Sequence, residues 1–285
     1  MTLPNFIVGG VPKGGTTSLD FYLNQHPEVF VAKKEPRYFL FDAKNEDHRN
    51  DKTGHFPIRT RAEYIALFDG VTTEKAIGEA TPFYMLSPVA QQRIPAELPE
   101  VRLIFSLREP VARAHSAYWM QVRLGRETQT VEEALAPGTS YVQNGLYAAH
   151  LIKWYDQFDR AQIKVTLFDD LKVKPLVVFQ DICRFLNIRD DVIPDLTVHN
   201  KGYKPKNLAL GRLFAQVKST SLFKAIYPQL PPNIRQMVIG VRDKNYEAIP
   251  PLPEEISRRL RMYYREDIAQ LERLICRDLS FWNSD

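Results

Sequence analysis

Short apolar runs alternating with amphipathic helical segments leave this chain few architectures to adopt. Asn5-Phe6-Ile7-Val8 reads as a buried strand halted by Gly9 and Gly10. From Thr16 onward Leu19, Tyr22 and Leu23 recur at helical spacing until His26-Pro27 stops the pattern. Further strands are expected at Lys75–Gly78, ending at Glu79, at Val101–Leu107 and at Ile163–Phe168. Helices are expected from the capping-box spacing Thr60-Arg61-Ala62-Glu63, from Pro110 to about Leu124, from Gly145 to Phe158 and from Pro175 to Leu186. Strands that alternate with helices imply a parallel sheet. Beyond Ile188 the strand signal fades, and Asn207–Lys224, Pro232–Gly240 and Pro253–Arg277 read as helices between proline-rich turns. One domain over all 285 residues is expected, with a sheet core over about 1–190 and a helical part over about 206–285.

Hydrophobic residues at 44% and charged residues at 25% are ordinary for a globular chain, which excludes disorder, collagen and a disulfide scaffold. The longest apolar runs fall short of the roughly 20 residues of a membrane span. Met1-Thr2-Leu3-Pro4 leads straight into a strand without a signal-peptide pattern, so a soluble, cytoplasmic protein is expected. Two cysteines, Cys183 and Cys276, fit a reducing compartment and leave a single bridge between them open. The net charge of +4 is unevenly spread: Leu196–Arg242 carries eight Lys or Arg and no Asp or Glu. Such a segment attracts anions, or is simply a solvated basic face.

The segment Gly10-Val11-Pro12-Lys13-Gly14-Gly15-Thr16-Thr17-Ser18 lies between a strand and a helix. Free backbone N–H groups and the positive helix end favour an anion there. A Walker A loop would place lysine directly after the second glycine, whereas here Thr16 follows Gly15 and the lysine stands at position 13. The Val101–Leu107 strand runs into Arg108, where a Walker-type enzyme would place a magnesium-binding Asp. An arginine offers five donors to a phosphate, so the pattern points to an anion site without a metal.

The run V-P-K-G-G-T-T-S-L resembles the 5′-phosphosulfate loop of sulfotransferases that use 3′-phosphoadenosine 5′-phosphosulfate (PAPS), closest to the heparan sulfate and glycan branch and its soluble bacterial members. The resemblance implies that Lys13 contacts the bridging region of the phosphosulfate and that Gly14, Gly15, Thr16, Thr17 and Ser18 hold the 5′-phosphate. Arg108 through Tyr118 resembles the family's 3′-phosphate motif, with Arg108 and Ser116 as the gripping pair. Asn144–Leu151, which contains Tyr147, is similar to the helix start before the next strand in glycan-type members. His199-Asn200-Lys201-Gly202-Tyr203 is similar to the late loop that closes over the adenosine. The fold implied is α/β: a P-loop-like parallel sheet flanked by helices, with a helical C-terminal part.

The resemblance also implies chemistry: sulfuryl transfer from PAPS, releasing 3′-phosphoadenosine 5′-phosphate (PAP), with no metal. Glu79-Ala80-Thr81-Pro82-Phe83-Tyr84 resembles the E-K-[ST]-P-x-Y segment whose glutamate is the general base, with Ala80 where the family often has lysine. Lys33-Lys34-Glu35-Pro36-Arg37-Tyr38-Phe39 resembles the K-E-P-H-F-F segment, which puts Lys34 near the transferred group and Arg37 in place of the usual histidine, pointing to an anionic acceptor or a structural ion pair. His26 and His115 fit structural roles better than catalytic ones. The partner implied is a sulfuryl acceptor, a glycan or small molecule, and not nucleic acid; oligomeric state has no readable signal. The competing readings are a P-loop kinase or nucleotidase and a noncatalytic anion- or glycan-binding protein.

Overall fold

The computed structural model describes residues 2–32, 35–51, 53–197, 203–207, 217, 220, 226–231, 234–235 and 245–283. Five parallel strands form its central sheet: β1 (Phe6–Gly10), β2 (Val29–Val31), β3 (Ala76–Ala80), β4 (Arg102–Leu107) and β5 (Ile163–Leu167), in the order β2-β3-β1-β4-β5. Among the described residues the helices, in chain order, are α1 (Thr16–Leu23), α2 (Glu46–Arg49), α3 (Arg61–Ala66), α4 (Pro88–Glu97), α5 (Pro110–Arg123), α6 (Val131–Ala134), α7 (Ser140–Gln143), α8 (Tyr147–Tyr155), α9 (Phe168–Val173), α10 (Pro175–Phe185) and α11 (Glu254–Ile275). The coordinates separate into two compact units, one made of Met1–Glu109, Leu146–His199 and Arg265–Asp285, the other of Pro110–Gly145 and Asn200–Tyr264.

In the first unit, strand alternation divides the core in two. Phe6, Val8, Ile104, Val29 and Val31 face Leu19, Tyr22 and Leu23 of α1 and Val178, Phe179, Ile182 and Cys183 of α10. Those four α10 positions follow the spacing that makes one helical face apolar, and Pro175 occupies its first turn, where a missing N–H costs nothing. On the opposite face Phe105 packs against Trp154 of α8 with ring centroids 5.5 Å apart, and the indole N–H donates to the Met85 carbonyl at 3.1 Å. Each large side chain buried in this way contributes about 1.5–3 kcal/mol relative to exposure. Glu79 lies on this second face, one residue before the end of β3.

The expected capping box opens α3: the Glu63 N–H donates to the Thr60 hydroxyl at 3.2 Å and the Thr60 N–H to the Glu63 carboxylate at 2.9 Å. At the start of α8 the carboxylate of Asp267, on α11, accepts from the N–H groups of Ala148 (3.2 Å) and Ala149 (3.4 Å). Phe168, expected to end the Ile163–Phe168 strand, instead starts α9, and Glu79, expected to end its strand, is followed there by one more residue, Ala80. β2, with three residues, is too short to display a periodicity, and α4, ten residues with Pro95 inside it and only Ala90, Gln91 and Ile94 buried, carries no clear apolar face; neither was expected.

The second unit holds α5, α6, α7 and an antiparallel pair, β6 (Tyr203–Pro205) with β7 (Tyr246–Ala248), in which Tyr203 faces Ala248 and Pro205 faces Tyr246. That pair adds two short strands in a stretch where the sequence carries no strand signal. Its strands are three residues each and far apart in sequence, held by Tyr203 against Tyr246 (centroids 4.0 Å apart) and by Lys204 paired with Glu247 at 2.9 Å. Most of the helices expected at 207–224 and 232–240 lie outside the described residues. The one expected at 253–277 is α11. Among the described residues no helix is long and apolar enough to cross a membrane, and Cys183 (buried) and Cys276 (exposed) are free thiols.

Candidate active site

The strand order places β1 between β3 and β4, so the connections from its neighbours diverge at its carboxyl end, where open α/β sheets hold ligands. The register between β1 and β4 slips after Val8, and the chain leaving β1 is drawn onto the end of β4. The Val11 N–H donates to the Ser106 carbonyl at 3.0 Å, and the Ser106 hydroxyl donates to the Gly14 carbonyl at 2.6 Å. A Cβ on Gly14 would stand 2.1 Å from the Ser106 carbonyl oxygen, so only glycine permits this approach. Gly15 has φ of 91° and presses against Phe168 of α9. Lys13, with φ of 74°, adopts a left-handed conformation that costs a non-glycine residue about 1–2 kcal/mol.

This closure sets the amino end of α1 facing out of the loop with Gly15 as its N-cap and no side-chain cap. The amides of Thr16 and Thr17 and the hydroxyls of Thr16, Thr17 and Ser18 thus open the helix behind a turn that carries Lys13, while the Ser18 N–H donates to the Gly15 carbonyl at 2.9 Å; helix starts of this kind bind a phosphate by backbone N–H groups and helix dipole. Arg108 follows β4 directly. Its guanidinium lies 5.0 Å from the centre of the Phe168 ring, the same ring that backs Gly15, and its carbonyl accepts from the Tyr147 hydroxyl at 2.7 Å. Tyr147 is fully buried, with its ring edge against Trp282 (6.2 Å between centroids), so it fixes the Arg108 backbone from inside the core. The Gly14→Ala substitution is expected to lower stability by about 1–3 kcal/mol through overpacking, read as a reduced denaturant midpoint, and to weaken PAP binding in calorimetry.

Glu79 is completely buried. One carboxylate oxygen, Oε1, accepts from the hydroxyls of Tyr64 (2.8 Å) and Tyr84 (3.0 Å), while Oε2 accepts from the Thr81 hydroxyl at 2.8 Å. Desolvation by burial is the largest influence and raises its pKa; the three hydroxyls oppose it, Glu35 adds a small repulsion, and the result is pushed up to about 7. A carboxylate in that range is matched to proton abstraction near neutral pH. Nearby, Arg37 pairs with Glu35 at 2.8 Å, the structural ion pair allowed for by the sequence, and its N–H donates to the Thr81 hydroxyl at 3.4 Å.

Of the other expected residues, Ser116 is half-buried on α5 in the second unit, and Tyr203 opens β6 there with the Arg123 guanidinium 4.6 Å from its ring centre. Lys34, Lys201 and Gly202 lie outside the described residues. His26 is buried, with Nε2 2.9 Å from the Arg189 carbonyl and Nδ1 accepting from the Glu28 N–H at 3.0 Å; His115 Nε2 accepts from the Trp119 indole at 2.8 Å. Sequence reasoning missed Tyr64, whose place beside Glu79 comes from the packing of α3 on the sheet, and Ser106, a core strand residue with no distinguishing pattern. Thr81 stood within the quoted motif but gave no sign that it touched Glu79.

Because the folded protein holds a proton on Glu79 at pH values where the unfolded chain, with the ordinary value of 4.5, has lost it, stability falls as pH rises from 4.5 through about 7. At 1.36 kcal/mol per unit that amounts to about 3 kcal/mol. The Glu79→Gln variant is expected to lose this part of the pH dependence, so its melting temperature declines less than that of the parent between about pH 5 and about pH 8.

Residues 3–210 match the sulfotransferase domain family. A sulfotransferase from Alicyclobacillus acidocaldarius aligns over 100% of both chains with 30% identity and a TM-score of 0.73. Among curated proteins, the membrane-associated sulfotransferase kil1 of Dictyostelium discoideum is 38% identical over 124 residues, 43% of this chain and 24% of that protein. The heparan sulfate glucosamine 3-O-sulfotransferase 3B1 of Mus musculus is 25% identical over 288 aligned positions, 98% of this chain and 65% of that protein. The chain thus spans about a quarter to two thirds of the length of these curated relatives. With a glycine-bearing loop closed onto the neighbouring strand of a parallel sheet, and a family match over most of its length, the chain belongs to the sulfotransferase family.

Proposed function

We propose that this protein transfers a sulfuryl group from PAPS to a hydroxyl or amine of a carbohydrate or small-metabolite acceptor. The observation that carries this reading is the closure of the Lys13–Ser18 loop over the carboxyl end of β1, with α1 uncapped by any side chain. The phosphosulfate supplies the sulfuryl group and a phosphate leaving group. Lys13 and the first-turn amides of α1 hold the 5′-phosphate and offset the charge that develops on its oxygen. Arg108, at the end of the adjacent strand, supplies donors for the 3′-phosphate, where a metal-dependent P-loop kinase would need a carboxylate. Tyr147 acts through the Arg108 backbone.

Glu79 takes the proton of the acceptor as the new bond to sulfur forms, a role that fits a carboxylate raised to about 7. Relatives named for heparan sulfate glucosamine favour a glycan acceptor, and the two free thiols favour a reducing compartment such as the cytoplasm. The test is release of PAP from PAPS with heparan sulfate oligosaccharides as probe acceptors, in the presence of a metal chelator. Lys13→Ala is expected to lower turnover about 10²–10³-fold and to weaken PAP binding. Glu79→Gln is expected to lower turnover about 10²–10⁴-fold with PAP affinity unchanged. Tight PAP binding with no turnover on any acceptor class would instead favour a noncatalytic binder, and transfer that requires magnesium would favour the kinase reading.

A further inference from the structure

The surroundings of Glu79 are more specific than a buried carboxylate needs. Both phenol hydroxyls converge on one oxygen, Oε1, from different elements: Tyr64 from α3 and Tyr84 from the 3₁₀ turn after β3. Neither phenol can swing away. The Tyr64 ring is 1% exposed, stacked on Tyr38 (4.5 Å between centroids, 18° between planes), with Phe39 and Phe68 edge-on at 5.2 and 5.4 Å. Tyr84 is fully buried, packs edge-on to Phe39 at 5.6 Å, and its oxygen accepts from the Phe39 N–H at 3.4 Å. Among the described residues Oε2 has a single donor, the Thr81 hydroxyl.

We infer that Tyr64 and Tyr84 are positioning residues that saturate Oε1 and so direct the acceptor's proton to Oε2. Two donors occupy the accepting directions of Oε1, whereas Oε2 keeps a lone pair unmatched by the described groups. Together with the Thr81 hydroxyl, the same two phenols favour the charged carboxylate and offset part of the desolvation that raises it. Among the described residues, the other charged or titratable groups facing this cluster come from two elements. From the loop before the Tyr38 turn come Glu35, which raises Glu79, and Arg37, which pairs with Glu35. From α4 comes Glu97, which accepts from the Tyr38 hydroxyl at 2.8 Å, pairs with Arg93 at 2.8 Å and Arg61 at 3.4 Å, and pushes up the Tyr64 phenol. Tyr64 and Tyr84 themselves are held well above the usual phenol range, by burial first and by the Glu79 charge second, so both stay protonated donors across the working range.

This inference rests on Glu79 being the base, and two readouts separate the fates of the two claims. Infrared titration of the protonated-carboxyl stretch, assigned by subtracting the Glu79→Gln spectrum, reads the Glu79 midpoint without any acceptor. Tyr64→Phe and Tyr84→Phe keep the rings, and an unchanged PAP affinity checks that each variant folds. Each is expected to move the midpoint up by roughly one pH unit, and the double variant further than either. The acidic limb of the pH–rate profile, measured with PAPS and a heparan sulfate oligosaccharide, is expected to move by the same amount while KM for PAPS stays constant. An unmoved or lowered midpoint in Tyr64→Phe would overturn the inference. Normal turnover in Glu79→Gln would remove Glu79 from the reaction, whatever the infrared midpoints show.

Discussion

The closure of the Lys13–Ser18 turn onto the end of β4 through Ser106 is the contact on which the site depends. Ser106 acts on the loop twice, accepting from the Val11 N–H and donating to the Gly14 carbonyl, and the missing side chain of Gly14 lets the two backbones meet. Everything downstream follows from that approach. α1 begins where its positive end faces out of the sheet edge, Lys13 is held in a conformation a lysine does not prefer, and Arg108 leaves β4 beside the ring that backs Gly15. Free energy from the packed sheet offsets the strain at Lys13, a common pattern where a fold commits backbone to binding.

The second element of the site reverses the usual logic of a surface carboxylate. A solvated glutamate would be ionised and weakly basic at neutral pH; burial alone would leave it protonated and inert. Glu79 lies between these limits because the hydroxyl donors offset part, though not all, of the desolvation that pushes it up to about 7. Such a balance needs rigid donors, and the aromatic cluster of Tyr38, Phe39, Tyr64, Phe68 and Tyr84 supplies the rigidity. The region from Tyr38 to Phe68, which carries α2 and α3, thereby contributes the Tyr64 phenol oxygen to the surroundings of Glu79.

Much of this organisation could be read from the residues in order. Strand-forming runs at Asn5–Val8 and Val101–Leu107, the glycine turn between strand and helix, and the arginine that follows β4 are local signals, because each depends on neighbours a few positions away. Glu79 was legible for the same reason, inside a short motif. What could not be read is what tertiary packing decides. Tyr64 reaches Glu79 across 15 positions only because α3 folds over the sheet, Ser106 looks like any core strand residue, and β6 and β7 pair across some forty residues with three residues apiece. Periodicity is blind to contacts of that kind.

On the proposed function, the turn from Lys13 to Ser18 receives the 5′-phosphate of an adenosine bisphosphate. A crystal structure with PAP tests it most directly. The 5′-phosphate is predicted to accept hydrogen bonds from the loop amides and the α1 amino end, with the Lys13 ammonium beside it and Glu79 Oε2 toward the acceptor side. A nucleotide bound elsewhere, or one whose 5′-phosphate is held by other groups while the loop stays unengaged, would contradict it.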